Sequence, residues 1–248
     1  MAGIERRLVD RVGSFLRNVE RTPGVTCGVC TAPTDGGTEC SRCRHDRERF
    51  GELLADLVVP VAYGGHNDQS RTLLHGYKDE VAAQPGDERR LLVLLLLWVA
   101  VQRHRRCIER RVQAPLQLWT TVPSTKGREH HPLRDIARRA GLGKGEVVAT
   151  PADLQPSDSR LTAPGRFSLR PASLGGAHLV IVDDTWTSGG HAQSLALTAR
   201  AAGAARVTIV VLARWLKPDW PPTAAYLSSH PHRDFDPLTC PVTGGRCP

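Results

Sequence analysis

The chain is 248 residues long, and its sequence predicts an α/β protein. A parallel sheet flanked by helices is expected, with a small cysteine-rich module ahead of it. Three observations lead there. A strand–helix–strand unit spans residues 179–212. Two C-x-x-C pairs stand close together near the N-terminus. Hydrophobic residues make up 40% of the chain, enough for a core, yet the longest apolar run, Leu91–Val101, is too short to span a bilayer.

The first element expected is an amphipathic helix over residues 1–21. Ile4, Leu8, Val12, Phe15, Leu16 and Val19 recur at three- and four-residue spacing with arginines between them. Charges interrupt the apolar stretch and no small-residue cleavage site follows, so a signal peptide is not expected. This points to a cytoplasmic protein. Packing on the domain or on a partner is the expected fate of the helix, ahead of membrane-surface binding.

Residues 22–46 form the second unit. Cys27-Gly28-Val29-Cys30 and Cys40-Ser41-Arg42-Cys43 are paired knuckles separated by nine residues. Tetrahedral zinc takes four thiolates at such spacing. A redox motif would have one C-x-x-C ahead of a helix, and disulfides belong to oxidising compartments. Four thiolates close the coordination sphere, so Cys27, Cys30, Cys40 and Cys43 are expected to hold a structural zinc.

The main domain is expected over residues 47–216. Leu91–Val101 reads as a helix buried against the sheet, continuing to about Val112 with a basic end. Cys107 on it reads as a small buried apolar residue. Residues 116–123 are strand-like and lead into the loop Ser124-Thr125-Lys126-Gly127-Arg128. Lys126 and Arg128 suit an anion such as pyrophosphate, and Gly127 permits close backbone approach. A solvated surface loop is the plainer alternative. Residues 150–176 hold several Pro and Gly and read as a surface excursion with one short strand near Phe167, a flap over the site.

Leu179-Val180-Ile181-Val182 is a buried strand, three of its four residues β-branched. It ends in Asp183-Asp184, then the loop Thr185-Trp186-Thr187-Ser188-Gly189-Gly190-His191, then the helical run Ala192–Ala202. This order puts two carboxylates and an anion cradle at the carboxyl end of a parallel strand, where open α/β sheets bind ligands. Glycines let a backbone approach phosphate, hydroxyls add donors, and the following helix contributes about half a positive charge at its N-terminus. Adjacent carboxylates would repel a phosphate. They suit the vicinal hydroxyls of a ribose, or Mg²⁺ held through water. Diol plus phosphate means a ribose 5-phosphate group. An ordinary strand–turn–helix with an acidic turn is the bland alternative. Arg206–Leu212 then reads as the next parallel strand.

The segment from Asp183 to His191 resembles the phosphoribosyl-pyrophosphate (PRPP) signature of type I phosphoribosyltransferases. It has Ser188 and His191 where the signature usually has Thr. A zinc knuckle ahead of such a domain is similar to the ComF family, the competence-associated phosphoribosyltransferase-like proteins. Tyr63-Gly64-Gly65, Leu73–Lys78 and Val122-Pro123-Ser124 resemble that family's early and middle segments, whereas its usual Arg-Gly-Phe-Asn stretch has no clear counterpart after Arg128. The resemblance implies a type I phosphoribosyltransferase-like sheet that binds Mg²⁺ with PRPP. Asp183 and Asp184 would take the ribose. Thr185, Thr187, Ser188, Gly189, Gly190 and His191 would take the 5-phosphate, and Ser124, Lys126, Gly127 and Arg128 the pyrophosphate. Transfer to a nucleophile is one expectation. The alternative is a non-enzymatic DNA-uptake or adaptor protein that meets single-stranded DNA or a competence-machinery partner.

The net charge of +8 suits polyanions. Its local excess lies in Arg103, Arg105, Arg106, Arg110, Arg111, Arg134, Arg138 and Arg139. No aromatic residues interleave with them as a base-stacking platform would need, so a solvated arginine face is favoured. Residues 217–248 are rich in Pro, His and polar residues. Cys240 and Cys247 lie near His230 and His232, but at irregular spacing for a second metal site. A disordered or loosely docked tail is expected.

Overall fold

The structure is a computed structural model that describes residues 3–65, 67–78, 88–124, 131–142, 144–152 and 160–247. Five strands form one sheet in the order β1-β2-β7-β6-β3: β1 Arg17–Asn18, β2 Leu57–Gly64, β3 Leu118–Thr121, β6 His178–Trp186 and β7 Arg206–Trp215. The contacts β2–β7, β7–β6 and β6–β3 are parallel, and β1 joins the edge antiparallel to β2. A two-stranded antiparallel sheet, β4 Val148–Pro151 with β5 Phe167–Arg170, stands apart. The expected α/β class with a mostly parallel sheet is found.

Alternation along the central strands divides the core into two layers. Val180, Val182, Val210 and Leu212 face one layer. It contains α1 Gly3–Val12, α3 Asp68–Gly76, α4 Glu88–Trp98, α5 Arg105–Val112 and α6 Pro132–Ala137. Leu179, Ile181, Ile209 and Val211 face the other, which holds α7 Gly190–Ala201, the β4–β5 pair and the cysteine module. Strands covered on both faces are continuously apolar, as Leu179–Val182 of β6 and Ile209–Ala213 of β7 are.

The N-terminal helix is shorter than expected. It ends at Val12, because Gly13 follows and the chain turns so that Arg17 and Asn18 add to the sheet edge. Leu16 and Val19 are buried as expected, though not on the helix. The long apolar helix also departs from a straight run. A π-turn occupies Val99–Arg103, and His104 breaks the helix before α5 begins. The excursion holds two strands rather than one, and β5 packs along α7. There Phe167 lies edge-on to His191.

The tail is not loose. After α8, Pro221–Ser229, it returns along the N-terminal segment. Arg17 donates to the carbonyls of His230 and Pro231, Asn18 exchanges hydrogen bonds with the Asp236 backbone, and the Phe235 amide donates to Gly13. Phe235 is buried. The compositional bias toward Pro and His hid this docking, because it joins the tail's backbone to the Arg17 and Asn18 side chains and the Gly13 carbonyl, all far away in sequence. Among the described residues, no helix is long and apolar enough to cross a membrane.

Candidate functional site

Asp183 and Asp184 lie within β6 near its carboxyl end, since the strand runs on to Trp186. Asp184 is buried, and Asp183 is partly exposed. Around Asp184 the fold gathers groups from two separate connections and from β6 itself. Tyr77, following α3, donates its hydroxyl to Oδ2 at 2.8 Å. Lys78 Nζ lies 2.5 Å from the same oxygen. His131, the N-cap of α6, places Nε2 4.0 Å away. Its Nδ1 accepts from the Leu133 amide, so the neutral ring carries its proton on Nε2, toward the carboxylate. Thr185 donates its hydroxyl to Asp184 Oδ1 at 2.9 Å, and the Asp184 amide donates to Asp183 Oδ1.

These contacts separate the two acids. Burial and the neighbouring Asp184 charge push the Asp183 carboxyl well above the usual carboxylate range. Burial acts on Asp184 in the same sense, but Lys78, Tyr77 and His131 outweigh it and hold Asp184 below that range. The two acids are thus driven apart: Asp183 holds its proton more tightly than an ordinary aspartate and Asp184 less tightly.

The loop into α7 is shaped by a residue the sequence reading missed. Buried Arg214, near the end of β7, donates through Nη1 to the carbonyls of Trp186 at 2.6 Å and Thr187 at 2.8 Å. A trans peptide sets its N–H opposite its C=O. Drawing those two carbonyls inward therefore turns the amides of Thr187 and Ser188 outward. Among the described residues neither amide has an acceptor. Thr187 is exposed. Gly189 caps the helix in the left-handed region, with φ of 81°, and a side chain there would strike the Trp186 ring. Gly190 meets the Arg160 backbone so closely that a Cβ would lie 2.3 Å from its carbonyl oxygen.

Two of the expected phosphate ligands are engaged elsewhere. Ser188 donates its hydroxyl to Arg160 O at 2.9 Å, tying the loop to the excursion. The His191 ring turns toward Phe167 and Arg166. Burial, aided by the Arg166 charge, lowers its basicity. Ser124 ends the described part of the β3 connection, and Lys126, Gly127 and Arg128 lie outside the described residues.

The four N-terminal cysteines converge. Their sulfurs lie within 4.8 Å of one another, and Cys30 and Cys40 are 3.8 Å apart. A tetrahedron with zinc–sulfur bonds of about 2.3 Å has edges of about 3.8 Å, so the donor set fits the ion. All four are buried and none is in a disulfide. Cys27–Ala32 is a tight turn closed by amide bonds, whereas Cys40 and Cys43 open helix α2, Ser41–Phe50. The positive helix end favours thiolates there. The module is bound to the sheet by Tyr63, whose hydroxyl donates to Thr31 O at 2.7 Å.

A cleft of about 1580 Å³ opens between this module, α5 and the start of β2, away from the acid pair. Several arginines line it, but Arg47 pairs with Glu39 and Arg200 with Asp56. Three of the arginines noted in the sequence are also paired. Arg105 pairs with Glu109, and Arg134 and Arg138 both meet Glu146. No family model matches the chain, and no curated protein matches it.

Proposed function

We propose that this chain binds PRPP with Mg²⁺ at the carboxyl edge of β6, as a ComF-like member of the type I phosphoribosyltransferase fold. The observation that carries the reading is the outward-facing amide pair of Thr187 and Ser188, held by Arg214 beside two unequal carboxyls. The 5-phosphate would accept from those amides and from the exposed Thr187 hydroxyl, at the N-terminus of α7. The ribose diol would meet Asp183. Asp184 would stay ionised through Lys78 and Tyr77. Mg²⁺ would enter with the pyrophosphate and supply charge neutralisation.

If the chain is a transferase, a nucleophile forms a bond to the anomeric carbon as the bond to pyrophosphate breaks, the electron pair leaving with pyrophosphate. Positioning and charge stabilisation then dominate. Titration calorimetry with Mg²⁺·PRPP tests the binding claim. Binding is expected for the wild type and is lost in the Asp183→Asn/Asp184→Asn double variant. No binding to the wild type, or equal binding to both, overturns it. A pyrophosphate-release screen against nucleobases, ammonia and amines then separates transfer from binding alone.

A further inference from the structure

We infer that His104, Cys107, Cys240 and Cys247 form a second structural zinc site, which staples the C-terminal tail to the start of α5. Their ligand atoms all lie within 4.8 Å of one another, and His104 Nδ1 is 3.1 Å from Cys247 Sγ. His104, Cys107 and Cys240 are buried, and Cys247 is exposed. The four residues come from parts of the chain separated by up to 143 positions.

The imidazole is in the tautomer a metal requires. His104 Nε2 lies 3.1 Å from the carbonyl of Pro237. A carbonyl only accepts, so Nε2 carries the proton and Nδ1 presents its lone pair to the three sulfurs. A second ring nitrogen anchored on a carbonyl is the usual support of a zinc-bound histidine.

The backbone builds the site from two pieces. The π-turn at Val99–Arg103 and the break at His104 start α5 there, with the Cys107 amide donating to the His104 carbonyl. His104-x-x-Cys107 therefore opens α5 much as Cys40-x-x-Cys43 opens α2. On the tail, the Cys240 amide donates to Gly245 O and the Gly244 amide to Cys240 O. That turn brings Cys247 back beside Cys240.

A disulfide does not account for this arrangement. It would join two sulfurs, leave a third thiol over and give the imidazole no role, and all three cysteines are free. Three thiolates and one imidazole are a closed zinc set, and soft sulfur donors select zinc over hard cations.

Elemental analysis of full-length protein purified under reducing conditions tests the site. The wild type should hold two zinc ions per chain. Cys247→Ser, altering the exposed ligand, should hold one fewer and should become protease-sensitive over residues 230–247. Equal zinc in the two proteins overturns the proposal. Zinc-edge X-ray absorption on the wild type reads the same claim without a variant. A shell containing imidazole nitrogen with sulfur is expected, and a sulfur-only shell overturns it. An intact mass two daltons below the reduced mass, mapped to a pair among Cys107, Cys240 and Cys247, also overturns it.

Discussion

Two clusters of sulfur donors occur in this fold, and they are assembled in opposite ways. Cys27, Cys30, Cys40 and Cys43 lie in one short segment, on a tight turn and the first turn of α2. His104, Cys107, Cys240 and Cys247 meet only because the tail returns along the N-terminal segment to α5. Short-range geometry assembles the first cluster. The second needs the folded domain beneath it, and it closes a loop whose entropic cost grows only slowly with length. The acid site belongs to the second kind, since Tyr77, Lys78 and His131 reach Asp184 from distant connections.

The contrast is tested most severely by ligand removal at each cluster. Cys40→Ser should cost more than about 4 kcal/mol, as expected for loss of a structural metal. Cys247→Ser should cost about 2 kcal/mol, because the substituted side chain is itself exposed and only the tail is released. Urea unfolding of both variants reads the difference, and equal losses would erase the distinction.

Arg21 connects the two regions. It donates to Pro241 O on the tail, Gly28 O in the first knuckle and Val58 O in β2. Arg21→Ala should lose about 2 kcal/mol, since the partly buried carbonyls of Pro241 and Val58 lose a charged donor. A loss below about 0.5 kcal/mol would show that the regions are stabilised independently.

Gly190→Ala probes a site set by remote packing, because the added methyl meets backbone of Arg160 and Leu161 rather than a movable side chain. A loss of about 2 kcal/mol is expected, with weaker PRPP binding in calorimetry. Unchanged thermal stability would place the Arg160 segment elsewhere in solution.

The smallest effect concerns pH. Asp183 keeps its proton in the folded state to higher pH than in the unfolded chain, where an aspartate titrates near about 3.9. Stability from this group is therefore full below that value and falls as pH rises toward the folded pKa. Asp184, held down by Lys78, contributes in the opposite sense: its stabilisation is present above that value and lost as pH falls through the lowered one. Asp183→Asn should thus stabilise the protein by about 1 kcal/mol at pH 7, the usual size for relieving a strained functional position, and by almost nothing at pH 3. Melting curves at the two pH values check it, and a destabilised variant at pH 7 would contradict the upward shift of Asp183.

Much of the fold was legible in the residues. The β-branched runs at Leu179–Val182 and Arg206–Leu212 became β6 and β7, and the spacing of Cys27 to Cys43 became a four-sulfur cluster. The Gly189-Gly190 turn became the start of α7. Less legible were the short N-terminal helix, the second strand of the excursion and the docked tail. In each, a distant partner prevailed over local composition. Arg214 gave no local signal, since an arginine at a strand end is ordinarily solvated.

By itself, then, the sequence determined the strands, the helix starts and the local sulfur cluster, because those depend on periodicity and on contacts a few residues apart. Only the tertiary structure decided which carboxyl carries the charge, which way the loop amides face and which residues meet the tail cysteines. Those outcomes depend on desolvation and on contacts made across the sheet, and neither is encoded in any one stretch of the chain.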